Sequence, residues 1–278
     1  MTGRLDGQTV RRVATGPRTV EPSSRPTPSW CLIIDRDGRS GAENMAVDLA
    51  LLRAAQAGEV FLRFYRWSPP CLSLGRNEPA LSRYDRHLIE TLGLDVVRRP
   101  TGGRAVWHNA EVTYAVAAPA GTFGALPQTY RQVHRLIARA LRHMGVLADL
   151  APRPPGGHVR PGAGACFASP AGGEVVVNGR KLVGSAQVRE GEAFLQHGSI
   201  LLDDGQDIVS RVTRGAHLPP LATSLSASLG RPAGFDEVVG TIIREARSSW
   251  TGGWTDRRYA PPTDLVAKFG DAAWTWRR

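Results

Sequence analysis

The stretch of sequence from 174 to 188 constrains the fold more than any other part of this 278-residue chain. Three valines at 175–177 are followed by Asn178 and Gly179, a pair suited to a type I′ turn, and then by a second alternating run. The pattern predicts a β-hairpin. Because side chains alternate along a strand, the second strand is predicted to carry one polar row made of Lys181, Val183, Ser185 and Gln187.

The spacing of apolar residues predicts the other strands and helices. A third strand is predicted at 193–202, with His197 and Ser199 on one face. Other short apolar runs predict strands at 30–34, 60–65, 71–74, 94–98, 104–107 and 112–118. Helical spacing predicts helices at 41–58, 80–92, 128–144 and 235–250. Strands and helices follow each other without a regular βαβ rhythm, so we expect an α+β fold.

Composition divides the chain into a leader, one domain and a short C-terminal part. Residues 1–29 mix Arg, Pro, Ser and Thr without apolar periodicity, which predicts a disordered leader. One folded domain is expected over 30–254, followed by a tail or small cap over 255–278. No apolar run approaches the roughly 18 residues of a membrane span, and no secretory signal precedes the domain, so we expect a soluble, cytoplasmic protein.

The cysteines and the charge narrow the class of site and partner. Cys31, Cys71 and Cys166 show no CxxC spacing, so we expect neither a disulfide framework nor a metal site. The net charge of +10 indicates an acidic partner, which is a nucleic acid, a membrane surface or an acidic protein. The chain has 33 arginines and only two lysines, Lys181 and Lys268, which favours a specific role for the compact ammonium of Lys181.

Two segments contain residues suited to chemistry. The segment 98–108 joins two predicted strands through Gly102 and Gly103, which permit positive φ and close approach to a ligand, although a plain hairpin accounts for the same pattern. The segment is not a Walker loop, because the required order of Gly, Lys and Ser or Thr is absent. Cys166 follows a Gly-rich stretch and is either a buried, inert thiol or, beside a cation such as Lys181, a nucleophile.

Several segments together resemble the biotin/lipoate protein ligase superfamily. The three signature segments are 98–108, 178–187 and 196–200; they occur in the superfamily's order, with the predicted helix segment 44–48 ahead of them. The resemblance runs from about Trp30 to Leu202 and more weakly to about Trp254. Within the superfamily, Thr-Gly-Gly-Arg-Ala-Val at 101–106 followed by Ala-Cys-Phe at 165–167 is most similar to the octanoyl-(acyl carrier protein):protein N-octanoyltransferases of Gram-positive bacteria. One departure is Asn109, where that family commonly has an acid after the histidine.

The resemblance implies a biotin/lipoate ligase-like catalytic domain, a mixed sheet with packed helices, and specific roles for site residues. Cys166 would form an acyl-thioester, and Lys181 would lower the pKa of its thiol. Substrate-binding roles would belong to Arg99, Gly102, Gly103, Arg104, His108, Ser185, Gln187, His197 and Gly198. The implied reaction moves an octanoyl or related acyl group from acyl carrier protein to the lysine of a lipoyl domain, and it needs no cofactor. The glycine cleavage system H protein and the E2 component of a 2-oxoacid dehydrogenase carry such domains.

Two other functions remain open at this stage. An ATP-dependent lipoate–protein ligase would use the same fold and the same Lys181 to bind a lipoyl-adenylate, and Cys166 would then be dispensable. A non-catalytic homologue or a nucleic-acid-binding protein would also account for the positive charge. The sequence contains no recognised nucleic-acid-binding motif, so we do not expect a nucleic acid as partner. Because it also contains no apolar run of membrane-spanning length, we do not expect a membrane as partner.

Overall fold

The computed structural model describes residues 27–152, 167, 172–215 and 221–277. The strands are β1 (Ser29–Arg39), β2 (Val60–Trp67), β3 (Cys71–Leu74), β4 (Asp95–Arg98), β5 (Val106–His108), β6 (Glu111–Pro119), β7 (Ala148–Leu150), β8 (Val175–Val177), β9 (Arg180–Lys181), β10 (Val183–Glu190), β11 (Ala193–Leu201) and β12 (Gly253–Asp256). The helices are α1 (Gly41–Ala55), α2 (Ala80–Arg83), α3 (Arg86–Thr91), α4 (Leu126–His143), α5 (Asp207–Val212), α6 (Leu225–Leu229), α7 (Phe235–Ser249), α8 (Thr263–Gly270) and α9 (Ala272–Thr275).

A six-stranded sheet in the order β10-β11-β6-β2-β1-β12 forms the centre of the domain. The strands from β10 to β2 are antiparallel, whereas β1 runs parallel to both β2 and β12. The sheet is therefore mixed, and the expected α+β class is confirmed. Two three-stranded sheets, β4-β3-β5 and β7-β8-β9, lie beside it.

Helices cover both faces of the central sheet. On one face, alternate residues such as Leu62 and Tyr114 pack in the core that also contains buried residues of α4 and α7. On the other face, residues such as Phe61 and Ala115 pack in a second core with α1 and α8. The alternation that strands impose on their side chains thus produces two hydrophobic layers around one sheet. Within the described ranges, every helix is too short or too polar to span a lipid bilayer.

Helix α1 is fixed at its first turn and buried along most of its length. The Ser40 hydroxyl accepts a hydrogen bond from the Glu43 amide, and the Glu43 carboxylate accepts one from the Ser40 amide, which together form a capping box. The helix lies between the sheet and α8, so polar as well as apolar side chains are enclosed. Asn44 and Asp48, one turn apart, both bond to the buried Arg63 of β2.

The predicted helices at 41–58, 128–144 and 235–250 correspond to α1, α4 and α7. The single helix predicted at 80–92 is wrong, because the chain forms α2 and α3 with a break between them. At the break Tyr84 is extended and bridges to Thr213, while the Asp85 carboxylate caps α3 by accepting from the Leu88 amide. Helical periodicity depends on residues close together in the sequence, so it could not predict the pairing of Tyr84 with the distant Thr213.

The predicted hairpin is present, with Asn178 and Gly179 both at positive φ as a type I′ turn requires. Its second strand is not continuous, however. Leu182 separates β9, which pairs with β8, from β10, which joins β11 in the central sheet. The interruption bends the chain from one sheet into the other, so the polar row predicted along 181–187 is broken after Lys181.

The boundaries expected at the two ends of the domain fall differently in the structure. Residues 1–26 of the predicted leader lie outside the described residues, and the first strand begins at Ser29. Strand β12 spans the boundary expected at 254 and extends the central sheet. Beyond it, Leu265 and Phe269 of α8 are buried in the same core as α1. Residues 255–277 therefore pack onto the domain and do not form a loose tail.

We predict that Arg63→Leu destabilises the protein by about 3–5 kcal/mol, because it leaves the buried carboxylate of Asp48 without its cation. The matched control is Arg66→Leu, an exposed position on the same strand, which should cost less than about 1 kcal/mol. Urea unfolding of the two variants measures the difference. Equal midpoints would show that the Arg63 ion pair is not needed for stability.

Candidate active site

A cleft of about 350 Å³, including the open space at its mouth, lies between α1, the β10–β11 pair and the strands β3 and β5. Five of the predicted substrate-binding residues line it: Arg99, His108, Ser185, His197 and Gly198. Apolar surface comes from Met45, Trp67, Val106 and Ala186. The folding of β3, β5, β10 and β11 around one space thus brings together residues that are far apart in the sequence.

The inner wall depends on a buried network centred on Asp48. One carboxylate oxygen of Asp48 accepts from Arg63 at 2.7 Å, and the other accepts from the Tyr65 hydroxyl and from His197 Nδ1, each at 2.8 Å. Because an ionised carboxylate only accepts, the proton lies on Nδ1, and His197 Nε2 accepts from the Thr101 hydroxyl at 2.6 Å. Helix α1, strands β2 and β11 and the turn that contains Thr101 are thereby joined by side chains.

Burial sets the charge state of this network. Burial lowers the pKa of His197, and nearby Arg99 and His108 lower it further, whereas the hydrogen bond to Asp48 opposes the shift. Burial alone would raise the pKa of Asp48, but the hydrogen bond from His197 and the charge of Arg63 bring it below its usual value. The wall is therefore built from an ionised carboxylate, a guanidinium and a neutral imidazole.

A second network surrounds His108. Arg99 Nη1 donates to the Ser73 hydroxyl at 3.1 Å, which in turn lies 2.7 Å from His108 Nε2. His108 Nδ1 lies 2.8 Å from a Glu111 oxygen, so in the neutral ring Nδ1 donates to the acid and Nε2 accepts from Ser73. The Trp67 ring stacks on His108 with the ring centres 4.0 Å apart.

The Ser73, His108 and Glu111 side chains have the connectivity of a serine-nucleophile triad. Ser73 has no exposed surface, however, because it lies in the middle of β3 and is hydrogen-bonded on both sides. A nucleophile must reach its substrate, so this arrangement orients the His108 ring and the Arg99 guanidinium. The acid that pairs with His108 is Glu111, three residues along the chain, and not residue 109.

A third network ties Ser185 to helix α4. His134 is fully buried, its Nδ1 donates to the Gly173 carbonyl at 2.9 Å, and its Nε2 accepts from the Ser185 hydroxyl at 2.8 Å. The Tyr114 hydroxyl donates to Ser185 at 2.7 Å and accepts from Gln196 at 2.9 Å. Burial, assisted by the charge of Lys181, lowers the pKa of His134 to about 3. The ring is therefore neutral at physiological pH.

The Gly-Gly turn is held by the Arg99 side chain. Its guanidinium donates to the carbonyl oxygens of Gly102 and Arg104, at 2.8 and 2.7 Å from Nη2. Gly103 has φ +95°, and a Cβ there would stand 2.8 Å from Arg99 Nη2. Gly102, Gly103 and Arg104 do not line the cleft themselves. The carbonyl oxygens of Gly102 and Arg104 instead hold the Arg99 guanidinium, which does line it.

Gln187 also lies outside the cleft lining, where its amide is 2.8 Å from Oε1 of Gln196. Lys181 is buried beside a different residue. The Lys181 Cε atom lies 3.2 Å from the point where a Cβ on Gly184 would stand. Gly184 and Ser185 are consecutive residues of β10, so Lys181 and Ser185 lie on opposite faces of that strand. The prediction of one continuous row from Lys181 to Gln187 is therefore wrong, and Lys181 does not itself line the cleft but lies beside Gly184, which does.

The second predicted catalytic residue, Cys166, lies outside the described residues. Its chain neighbour Phe167 is described, is fully buried, and places its ring centre 5.1 Å from Lys181 Nζ. The Phe167 ring also occupies the space that a Cβ on Gly184 would need. Lys181 Nζ forms an ion pair with the buried Glu174 at 2.8 Å.

Sequence reasoning missed several residues of the site, namely Thr101, Glu111, Tyr114, His134 and Glu174. The signal for Asp48 was present, since Asn44 and Asp48 form a polar pair one turn apart on a largely apolar helix. His134 gave no such signal, because a single histidine in an amphipathic helix resembles a surface residue. No three His, Cys, Asp or Glu side chains in the described part of the chain converge to hold a metal ion.

Comparison with known proteins agrees with this geometry. Residues 40–247 match the lipoyl protein ligase A/B catalytic domain. The octanoyltransferase LipM of Symbiobacterium thermophilum is 35% identical, over 90% of this chain and 99% of the relative. The LipM of Kyrpidia tusciae is 44% identical over 67% of this chain and 70% of the relative.

Two solved structures share the fold. A lipoate-protein ligase A bound with ATP superposes with a TM-score of 0.72 at 18% identity, covering 90% of this chain and 99% of the other. The T. acidophilum protein Ta0514 with bound lipoic acid gives 0.71 at 19% identity, covering 89% and 99%. At such low identity these two likenesses establish the architecture alone.

The chain belongs to the lipoyl protein ligase A/B catalytic domain family. The predicted relationship to the biotin/lipoate ligase superfamily is thereby confirmed. Within the family the relatives at 34–44% identity are octanoyltransferases, and this protein is an acyltransferase that transfers octanoyl groups in protein lipoylation.

We predict that Gly103→Ala destabilises the protein by about 1–2 kcal/mol, because an L side chain at positive φ is strained and its Cβ would displace Arg99. The matched control is Gly102→Ala, whose Cβ would meet nothing within 4 Å, and it should stay within about 0.5 kcal/mol of wild type. Urea unfolding distinguishes them. Equal stabilities would contradict the supporting role assigned to the turn.

We also predict an acid-sensitive stability that depends on His134. The pKa of His134 is lowered in the folded state, so its contribution is complete above the unfolded value near 6.5 and decreases as pH falls toward about 3. Over that range the free energy of unfolding should fall by up to about 1.4 kcal/mol per pH unit from this group. His134→Gln should reduce the slope, whereas Gln at the exposed His87 should not. Urea unfolding between pH 4 and 7 tests this, and identical slopes for all three proteins would contradict it.

Proposed function

We propose that the enzyme carries the octanoyl group as a thioester on Cys166 and delivers it to the lysine amine of a lipoyl domain. The observation that carries the proposal is the contact between Lys181 and Phe167, the residue directly after Cys166. Cys166 and Phe167 share a peptide bond, so this contact supports a role for Lys181 beside the thiol. A neighbouring ammonium favours the thiolate, which is the nucleophile.

The other two cysteines argue for Cys166 by elimination. Cys31 and Cys71 are both buried in the core beneath α1. Burial raises the pKa of the Cys31 thiol, and it raises the pKa of Cys71 well above its usual value, with Asp95 adding to the shift. Both thiols are therefore held protonated and away from the cleft.

The surroundings of Lys181 suit a fixed cation at the reacting carbonyl. Both Lys181 and Glu174 are almost completely buried, and the Tyr130 hydroxyl also donates to Glu174 at 3.2 Å. An ammonium held in this way costs little reorganisation when negative charge develops on an acyl oxygen. Apolar side chains and the neutral imidazole of His197 in the adjoining cleft suit the hydrocarbon chain of an octanoyl group.

The proposed reaction consists of two acyl transfers. In the first, the Cys166 thiolate attacks the thioester carbon of octanoyl-acyl carrier protein, the donor C–S bond breaks, and the carrier leaves as a thiolate that takes up the proton Cys166 lost on ionising. In the second, the acceptor amine attacks the Cys166 thioester, an amide C–N bond forms, the C–S bond breaks, and the amine proton neutralises the thiolate. Thioester is converted to thioester and then to amide, so neither ATP nor another cofactor is required.

The proposed partners are two protein substrates. The donor is octanoyl-acyl carrier protein, and the acceptor is a lipoyl-domain protein such as the glycine cleavage system H protein or a 2-oxoacid dehydrogenase E2. One solved relative of the same fold forms an archaeal lipoylation system with its E2 lipoyl domain. The net charge of +10 would favour encounter with acidic protein partners. A cytoplasmic location stays a prediction.

We predict that Cys166→Ala abolishes both the octanoyl adduct and transfer to a lipoyl domain, because the thioester has no other carrier. Lys181→Arg should be severely impaired despite its charge, since the planar guanidinium does not fit the buried place of the ammonium beside Glu174. Cys31→Ala is the matched control and should retain activity.

The measurement is intact-protein mass after incubation with octanoyl-acyl carrier protein, with and without ATP, followed by addition of a lipoyl domain. Transfer by Cys166→Ala that requires ATP and free lipoate would replace the proposal with the ATP-dependent ligase.

A further inference from the structure

Arg98 connects two distant parts of the chain although its side chain is completely buried. Its guanidinium donates to three carbonyl oxygens of one loop, those of Gly75, Arg76 and Glu78, at 2.8, 3.2 and 2.9 Å. It also donates to the carbonyl oxygens of Thr275 and Arg277, at 2.9 and 3.0 Å. The rigid fork of a guanidinium thus fixes the 75–78 loop against the 274–277 segment.

The 75–78 loop lies directly against the Gly-Gly turn. The Arg76 amide donates to the Thr101 carbonyl at 2.8 Å. A Cβ on Gly75 would overlap the Gly103 carbonyl oxygen, so the two backbones are in direct contact. Any shift of the loop must therefore move the turn.

The Gly-Gly turn positions two side chains that line the cleft, those of Arg99 and His197. Thr101 donates to His197 Nε2, and the carbonyls of Gly102 and Arg104 hold the Arg99 guanidinium. Arg99 and His197 both line the cleft. A continuous series of hydrogen bonds and backbone contacts therefore leads from the 274–277 segment to the cleft wall.

The 274–277 segment is itself firmly held. The Trp274 indole donates to the Arg98 carbonyl at 3.0 Å, and its ring contacts the cations of Arg277 and Lys268, which lie 3.7 and 4.6 Å from the ring centre. The Arg277 guanidinium also donates to the Arg76 carbonyl at 3.0 Å. Trp274 and Arg277 therefore hold the segment against the end of β4 and against the 75–78 loop, which the Arg98 side chain also contacts.

We infer that the segment Trp274–Arg277 is a positioning element of the acyl site, which sets the Gly-Gly turn through Arg98. This inference rests on the proposed octanoyl transfer. The segment does not touch substrate, and its effect on catalysis comes from where it places Arg99 and His197. A role limited to stability would lower the unfolding temperature without changing the rate measured below it.

The first test is a variant of the full chain that ends at Gly270, which retains α8. We expect kcat/KM for acyl-enzyme formation from octanoyl-acyl carrier protein to fall about tenfold or more, because small misplacements in a site have large kinetic effects. A synthetic peptide of residues 271–278 added in trans should restore the rate. Unchanged kcat/KM in the folded variant would overturn the inference.

A matched pair of conservative variants covers the case in which the shortened chain does not fold. Trp274→Phe removes the indole donor to the Arg98 carbonyl, and it should lower kcat/KM by about fivefold, the equivalent of one hydrogen bond. Trp254→Phe, which lies outside the segment and whose indole nitrogen has no hydrogen-bond partner among the described residues, should leave it unchanged. Equal values for the two variants would overturn the inference.

The wild-type chain distinguishes this inference from the function on which it rests. If the wild type forms no octanoyl adduct, the proposed function fails. If it forms the adduct and either test gives the overturning result stated for it, only the positioning role fails.

Discussion

The buried ion pair between Arg63 and Asp48 is the interaction on which the site depends. A guanidinium without exposed surface must find acceptors for its donors, and Arg63 finds them on Asp35, Asn44 and Asp48. This requirement fixes helix α1 against strand β2 in one register. The second oxygen of Asp48 then holds His197, which lies 149 residues further along the chain and lines the cleft.

Three histidines around the cleft are constructed alike. Each has its Nδ1 at an acid or a carbonyl oxygen and its Nε2 at a hydroxyl, the pairs being Glu111 and Ser73 for His108, Gly173 and Ser185 for His134, and Asp48 and Thr101 for His197. Such pairs fix the orientation of each ring and satisfy its two nitrogen atoms. Lys181, which is buried beside Gly184 of the cleft wall, forms an ion pair with the buried Glu174.

Much of the fold and part of the site could be predicted from local pattern. Periodicity located α1, α4 and α7, and the Asn178-Gly179 pair located the hairpin, because these elements are stabilised by residues close in sequence. The motif segments indicated five residues that line the cleft. Two features could not be predicted, because each arises from pairing with another part of the chain. The break between α2 and α3 follows from the bridge between Tyr84 and Thr213, and the interruption at Leu182 follows from the pairing of β10 with β11.

The sequence by itself determined the class of fold, the three motif segments and the scarcity of lysine that singled out Lys181. The tertiary structure decided which polar side chains meet. Thr101 bonds to His197 across 96 residues, and Arg98 bonds to Thr275 across 177 residues. Hydrogen bonds of this kind depend on the packing of whole layers, which brings distant donors and acceptors within about 3 Å and removes the water that would otherwise satisfy them. Local sequence pattern contains the donors and acceptors but not their partners.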